Sequence, residues 1–425
     1  MATVSGTGSF GSAVIHALPS PQSRPVVVLN MFYSGLAIAR QLSGKDVRVI
    51  GLSADPRIYG NFTRACEVRW APDSNDDPER LAEFLLEATD LEGAVIFPTR
   101  DADVMFLDHF RSQLDHKYCL AIPPADCLRR TIDKNRLAGV AKYASVPTPR
   151  TLRLCSAEQL SRVSDEVGFP CVVKPISSFQ WHIGDRWERV GARKAIRVDS
   201  LQSLRSEYQN ISKVTPQVLL QEWVPGPVDQ IAVLGAYVNE VSELVSYFTA
   251  RKVLQSPDDC GTGCIVRSEP LDEIIAPTQR LFGALQYQGM AEVEYKYDLR
   301  TREYKLIEIN ARHWDQHQLG EASGVNLSWV AYCHLTGRSI PRSTGTVAIA
   351  TWIAEDALLL RLFRSLFRRE LRVTHLRLKL SGRRLYGIFS LRDPLPFCRY
   401  FVGTFIPDLT RKVLVSLRGS RRSQS

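Results

Sequence analysis

The feature that most constrains the fold is an alternation of strand and helix signals near the beginning of the chain. Pro25–Asn30 and Val47–Leu52 are short apolar runs, typical of strands buried on both faces of a parallel sheet. Gly35–Leu42, between them, has helical spacing. Pro78–Ala88 continues the series as a helix and Gly93–Pro98 as a strand. This order predicts a small doubly wound α/β domain.

Residues 131–340 carry a different pattern, in which strand and helix signals are mixed. Glu292–Asp298 and Glu303–Ile309 have the composition of two strands, and the polar segment Leu299–Arg302 between them has that of a turn. The three segments together predict an antiparallel hairpin. The region as a whole is therefore predicted to be an α+β domain.

The first 24 residues are rich in Ser, Gly, Thr and Pro, and we expect a flexible lead-in there. Gly6–Gly11 matches GxGxxG, a phosphate-binding pattern that needs a strand before it and a helix after it. Because only five residues precede the match, we interpret it as a chance occurrence.

The positive charge of the chain is concentrated at its C-terminal end. The formal net charge is +9, yet residues 360–425 alone contain 16 Lys and Arg against three Asp and Glu. We therefore predict that 341–425 is a basic C-terminal extension. Residues 355–372 have the spacing of a helix with one apolar and one basic face, and Leu376–Leu380 alternates like a strand. This helix either packs on the preceding domain or lets 355–425 contact a membrane surface peripherally.

The composition is that of an ordinary globular protein of two to three domains, with 44% hydrophobic and 23% charged residues in 425. No run of 18 apolar residues occurs, so we expect no membrane-spanning helix, and we see no secretory signal. Nine cysteines without a CxxC pair favour a reducing compartment. We expect a cytoplasmic protein, with a membrane-peripheral location as the alternative.

Oxygen-bearing side chains recur at every second position of the predicted hairpin. Glu308, Asn310 and Arg312 would share one face of the second strand, and Glu292 and Glu294 one face of the first. Two carboxylates brought together repel each other unless a cation lies between them, and Mg²⁺ prefers carboxylate and amide oxygens. The pattern predicts a magnesium site, with two ordinary charged strand faces as the alternative.

Two lysines stand where a phosphate group could be bound. Lys134 lies at the start of a predicted helix, and Lys174 ends an apolar strand that opens into a loop. A third strand, Val218–Glu222, runs into a Pro-Gly turn where Pro225 and Pro227 prevent ladder pairing. Backbone groups near that turn are then available to an adenine edge, although a plain strand end would have the same sequence.

Taken in order, five short motifs resemble the ATP-grasp superfamily and, more narrowly, its carboxylate–amine ligase branch. The motifs are Asp133-Lys134, Val173-Lys174-Pro175, Gln221–Gly226, Ala291–Tyr295 and Leu306–Arg312. The resemblance covers about 25–340. It implies a pre-ATP-grasp α/β domain over 25–130 and an ATP-grasp domain over 131–340, flanked by the lead-in 1–24 and the extension 341–425.

The resemblance also implies a ligand for each motif. For ATP, it implies Lys134 and Lys174 at the phosphates, the backbone of Glu222 and Val224 at adenine, and Asp229 at the ribose.

For the metal, the resemblance implies that Glu294, Glu308 and Asn310 hold two Mg²⁺ ions, with Mn²⁺ as the alternative ion. Arg312, with Arg251 or Lys252, would face the transferred phosphate and the substrate carboxylate. These three residues are the predicted catalytic group.

The loop that follows Lys174 departs from the family pattern. Such loops are usually glycine-rich, because backbone N–H groups cradle phosphate, but Ile176–Gly184 contains one glycine. The loop either closes over ATP with side chains or is specialised for substrate, and Gly261–Gly263 is a second candidate lid. His313 and His317 suggest either a zinc site without a third ligand or, more in keeping with their place after Arg312, a substrate-pocket role.

The implied reaction joins a small-molecule carboxylate to an amine by way of an acyl-phosphate, with release of ADP and phosphate. A phosphotransferase of the same fold, which stops at a phosphorylated product, is the alternative enzyme. The alternative of another class is an ATP-binding protein that docks to a membrane or polyanion through its basic C-terminus. A homodimer is expected from the family, and no nucleic acid partner.

Overall fold

The computed structural model describes residues 24–181, 184–257, 260–341, 348–359 and 382–407. The GxGxxG match, most of the predicted 355–372 helix and the predicted strand at Leu376–Leu380 lie outside these residues. Only the first turn of that helix, 355–359, is described, and it is helical. None of the helices in the described ranges is long and apolar enough to cross a membrane.

The beginning of the chain folds as the strand–helix alternation predicts. Five parallel strands form one sheet in the order β3-β2-β1-β4-β5. The strands are β1 Val26–Leu29, β2 Val49–Ser53, β3 Glu67–Trp70, β4 Val95–Phe97 and β5 Cys119–Leu120. The helices are α1 Tyr33–Leu42, α2 Pro78–Glu87, α3 Asp101–His109 and α4 Arg111–Leu114, with short 3₁₀ turns at Tyr59–Phe62 and Thr89–Leu91.

A close approach of backbone fixes the first strand–helix connection. Asn30, directly after β1, has a positive φ of 73°, and its side chain accepts a hydrogen bond from the amide of Phe32. A Cβ atom at Gly35 would lie 2.0 Å from the Asn30 carbonyl oxygen, so only glycine allows α1 to begin this close to the loop.

A second, four-stranded antiparallel sheet follows in the order β6-β9-β7-β8. Two helices, α5 Ala125–Ile132 and α6 Lys134–Tyr143, connect it to the first sheet. Its strands are β6 Thr151–Leu154, β7 Cys171–Lys174, β8 Ile196–Val198 and β9 Val218–Glu222. Its helices are α7 Val163–Glu166, α8 Arg186–Arg189 and α9 Leu201–Ile211, with 3₁₀ segments at Ala157–Arg162 and Ser178–Trp181.

The third sheet has seven strands in the order β14-β13-β10-β11-β12-β15-β16. They are β10 Ile231–Val238, β11 Leu244–Ser256, β12 Thr262–Ser268, β13 Gly289–Asp298, β14 Glu303–Asn310, β15 Ala350–Ile353 and β16 Arg383–Tyr386. Its helices are α10 Ile275–Leu285, α11 Leu319–Ala322, α12 Leu327–Leu335 and α13 Leu395–Tyr400; 3₁₀ turns lie at Val228–Gln230 and Asp272–Ile274, and a π-helical turn at Phe401–Phe405. The predicted hairpin is confirmed as the antiparallel pair β13–β14.

One continuous core joins the first and third sheets. Val27 and Ile96 of the first sheet belong to the same buried apolar cluster as Leu234 and Val293 of the third. The second sheet has a core of its own around Leu220. The first and third sheets therefore share a core that the second sheet does not join.

Candidate functional site

A cavity of about 640 Å³ lies where the three sheets meet. Residues from all three sheets line it. Lys174 and Val172 come from the second sheet, Lys252 and Glu308 from the third, and the segment 99–102 from the carboxyl edge of the first. A volume of this size suits a ligand as large as a nucleotide.

Four oxygen-bearing side chains of the β13–β14 hairpin face the cavity together. The register places Glu294 opposite Glu308 and Glu292 opposite Asn310, as the predicted hairpin requires. Asn310 Nδ2 donates to Glu292 Oε2 at 2.8 Å, which leaves the amide oxygen of Asn310 for a cation. Burial raises the pKa of Glu292 to about 7. The sequence analysis placed Glu292 on this face but did not assign it to the site.

Three lysines neutralise this acidic face. Lys134 Nζ lies 3.7 Å from Glu308, and Lys252 forms an ion pair with Glu294. Burial by itself raises the pKa of Glu308, but the charges of Lys134, Lys174 and Lys252 outweigh it and hold that pKa well below its usual range. Burial, and next the neighbouring Lys134, lower the pKa of Lys174. Cations and carboxylates thus alternate across the cavity wall.

Local structure fixes the two phosphate-site lysines. The Asp133 carboxylate caps α6 by accepting from the amides of Asn135 and Arg136, so Lys134 is the first helical residue. Lys174 is the last residue of β7, where its Nζ donates to Gln221 Oε1 at 2.7 Å. The two predicted lysines therefore reach the cavity from different elements, the helix α6 and the strand β7.

The predicted adenine segment also lines the cavity. Glu222, Trp223 and Val224 all contribute to the wall. The amide of Glu222 donates to the Arg150 carbonyl and that of Trp223 to the Pro170 carbonyl, so both are used within the second sheet. The amide of Val224, the third residue of this segment of the wall, therefore remains the candidate for contact with adenine.

The sequence left Arg251 and Lys252 as alternatives, and the structure directs their side chains to different partners. Lys252 lines the cavity, whereas the Arg251 guanidinium binds Glu269, the Asp229 carbonyl and the Tyr304 hydroxyl. Successive residues of a strand point to opposite faces, so only one of the pair can face the ligand. The prediction for Arg251 is not supported by its position.

Asp229, the predicted ribose ligand, is not among the residues that line the cavity. It lies in the 3₁₀ turn Val228–Gln230, and its carbonyl is held by Arg251. The geometry gives its side chain no contact with the site.

The first sheet supplies site residues that the sequence analysis missed. Arg100 and Asp101, at the carboxyl edge after β4, line the cavity. Asp101 accepts from Arg312 Nε at 2.6 Å, and Arg100 binds Asp73 and Asp103 at 3.0 and 2.8 Å. Strand order was the available signal, because ligands in open parallel sheets bind beyond the carboxyl ends of the strands.

The side chains of His313 and His317 do not line the cavity. Among the described residues, they belong to no group of three or more side chains that could bind a metal ion. Both imidazoles are buried, His313 Nε2 lies 3.1 Å from Ser328 Oγ, and His317 Nδ1 lies 2.7 Å from the Trp314 carbonyl. Burial lowers the pKa of His317 to about 4 and that of His313 well below its ordinary value. Neither imidazole is among the groups that line the cavity, so their positions do not support the predicted substrate-pocket role.

The glycine-poor loop presents side chains to the cavity. Phe179 and Trp181 both line it. Gly261 and Thr262 line it from the other side, but Thr262 and Gly263 already belong to β12. The alternative of closure by side chains is the one that this arrangement favours.

Comparison with known proteins supports the fold and shows which proteins the sequence resembles. No protein-family model matches the chain. D-alanine–D-alanine ligase of Pseudomonas putida GB-1 is 31% identical over 183 residues, which is 42% of this chain and 54% of that ligase. D-aspartate ligase of Enterococcus faecium is 25% identical over 306 residues, 69% of this chain and 67% of that protein.

Among solved structures, the chain is similar to the biotin carboxylase domain of 2-oxoglutarate carboxylase from Hydrogenobacter thermophilus, a dimer in complex with MgADP and bicarbonate. The TM-score is 0.61 at 16% identity, over 77% of this chain and 73% of that one. The chain therefore has the fold of ATP-grasp structures, and its sequence is similar to that of ligases. It spans about half the length of the curated D-alanine–D-alanine ligases that it matches.

The donor set of this ATP-grasp site fits magnesium. Within the described residues, no three His, Cys, Asp or Glu side chains are arranged as a complete metal site. Glu294, Glu308 and the Asn310 amide oxygen offer two carboxylates and one neutral oxygen, and Mg²⁺ takes its remaining positions from water and substrate phosphate. Carboxylate and amide oxygens are suitable ligands for Mg²⁺, and the positive charge of the adjacent lysines suits a polyphosphate.

Proposed function

We propose that this chain is an ATP-dependent carboxylate–amine ligase that acts through an acyl-phosphate. The observation that carries the proposal is the shared wall on which Lys134, Lys174 and Lys252 alternate with Glu294 and Glu308. A phosphate chain needs cations, and its metal needs carboxylates. The ligase activities of the relatives named above support the same reaction class.

In the proposed reaction, a carboxylate oxygen of the acid attacks the γ-phosphorus of ATP, and the bond to the ADP oxygen breaks. The amine nitrogen then attacks the acyl carbon, phosphate leaves with the carbon–oxygen electron pair, and the nitrogen loses a proton. Lys134 and Lys174 neutralise phosphate oxygens, and the backbone near Val224 holds adenine. Arg312, fixed by Asp101, orients the transferred group and the acid.

Glu294, Glu308 and Asn310 would hold Mg²⁺. When bound, the ion supplies charge neutralisation at the phosphate oxygens. Mn²⁺ has the same ligand preferences and is the alternative ion.

We propose amino acids as the first substrates to test, because the relatives include ligases named for D-alanine and D-aspartate. A homodimer is the proposed assembly, in keeping with the dimeric structural neighbour.

The test is phosphate release from MgATP across a panel of acids paired with amines, starting from D-alanine, D-aspartate and their L-forms. Release that needs both an acid and an amine supports the ligase. Release with acid alone, with a hydroxamate trapped by hydroxylamine, supports the acyl-phosphate step. A stable phosphorylated product would instead indicate a phosphotransferase, and failure to bind ATP would overturn the proposal.

A further inference from the structure

The described C-terminal segment exposes a patch of large apolar side chains. Five of the thirteen exposed large apolar residues of the described ranges fall within 391–406. They form what we call the C-terminal apolar surface: Leu391, Leu395, Phe401, Val402 and Ile406, with exposed fractions of 87, 42, 38, 64 and 41%. Exposed apolar side chains concentrated in one segment in this way are typical of an interaction site.

Four of the five residues of this surface lie on a helix that packs against the fold on its other side. The chain is helical from Leu395 to residue 407. Pro396 and Tyr400 are buried, and the Tyr400 ring packs edge-on against Tyr59 at 6.1 Å. Leu395, Cys398, Val402 and Ile406 recur every three or four residues on the opposite, exposed side. The helix is therefore apolar on both faces, and the fold covers only one.

The residues around this surface are basic. Arg392 and Arg399 are exposed within it, and the Arg399 guanidinium lies 5.0 Å from the centre of the Phe62 ring. Residues 360–381, which precede the described segment, contain seven Lys and Arg and one Glu; residues 408–425, which follow it, contain five and one Asp. The one acidic residue within 382–407, Asp393, is buried against Arg40.

We propose that the C-terminal apolar surface binds an anionic lipid membrane peripherally. A helix with exposed aliphatic side chains flanked by arginine is suited to the boundary between lipid headgroups and acyl chains. Anionic headgroups attract basic residues beside such a helix, which gives the exposed Arg392 and Arg399 a role.

The charges around the surface favour a membrane over two other occupants, a second copy of the chain and the segment 360–381. A second copy of the chain would bring the same excess of arginine face to face. The basic segment 360–381 folded over the surface would place its seven cations beside Arg392 and Arg399. In both cases like charges would repel each other, whereas the negative charge of an anionic membrane would attract these arginines.

The experiment is co-sedimentation of the full chain with phosphatidylcholine vesicles, with and without about 30% phosphatidylserine. Val402→Glu tests the surface, and Val241→Glu is the matched control, because Val241 is a valine of 67% exposure in the turn after β10. We expect binding to the anionic vesicles alone, weakened about tenfold or more by Val402→Glu and unchanged by Val241→Glu. Thermal unfolding checks that each variant folds, and Val402→Ser repeats the test without added charge.

Three results would overturn the proposal. The first is a wild-type chain that stays in the supernatant with anionic vesicles. The second is equal binding by wild type, Val402→Glu and Val402→Ser, which would leave the basic segments as the only contact. The third is lipid-free self-association that Val402→Glu abolishes, which would assign the surface to a second copy. The ligase proposal is independent of all three, because none of these residues lines the cavity.

Discussion

Adjacent residues on one strand have opposite roles in this molecule. Lys252 pairs with Glu294 in the cavity, whereas Arg251 binds Glu269 and the Asp229 carbonyl outside it. We expect Lys252→Met to lower kcat about 100-fold, because the transferred phosphate loses a fixed cation. Arg251→Met should keep kcat within about threefold and lower the free energy of unfolding by about 1–3 kcal/mol. Steady-state kinetics and urea unfolding of both variants test these expectations. Equal losses of kcat in the two variants would contradict the assignment of Lys252 alone to the cavity.

Glu308 lies among the lysines of the site with 30% of its side chain exposed, 3.7 Å from Lys134. Glu308→Gln keeps the shape but removes the charge that a magnesium ion requires. We expect turnover to fall about 100-fold or more, with ATP affinity no longer strengthened by Mg²⁺. Calorimetric titration of ATP with and without the metal measures this. Glu303→Gln, at the other end of β14, is the matched control, and unchanged turnover in Glu308→Gln would remove the metal role.

Among the elements, the loop after β7 departs furthest from the family pattern. Phe179 lines the cavity where a glycine-rich loop would offer backbone amides. We expect Phe179→Ala to raise the KM for ATP about tenfold with little change in kcat, because it removes binding surface and no charge. Tyr143→Ala, at an 85% exposed site on α6, controls for the loss of an aromatic ring. An unchanged KM would show that the loop does not close on the nucleotide.

Elements with a strong local pattern could be predicted, and contacts between distant elements could not. The apolar run of β1 and the polar turn of the β13–β14 hairpin are local signals, so the pairing of Glu294 with Glu308 followed from the sequence. Asp101 and Arg312 meet from positions 211 residues apart, which no local pattern encodes. The burial of His313 was equally invisible, because periodicity does not show what packs against an irregular segment.

At the scale of the whole molecule, a buried carboxylate adds to the apolar packing that holds the described C-terminal segment against α1 and the Tyr59–Phe62 turn. Asp393 accepts from Arg40 Nε at 3.0 Å, Thr63 Oγ1 at 2.6 Å and the Arg64 amide at 3.1 Å. Arg40 also donates to the Ile388 carbonyl at 2.8 Å. One residue therefore joins α1, the segment after the Tyr59–Phe62 turn and 382–407.

Removal of that carboxylate leaves the Arg40 guanidinium buried without its counter-charge. We expect Asp393→Ala to lower the free energy of unfolding by about 3 kcal/mol. Amide hydrogens of 382–407 should exchange faster, while those of β1 and β4 change less, because the core that the first sheet shares with the third contains no residue of 382–407. Hydrogen-exchange mass spectrometry measures the difference, with the exposed Asp115→Ala as control. Uniform acceleration across the chain would show instead that the segment and the sheet unfold as one cooperative unit.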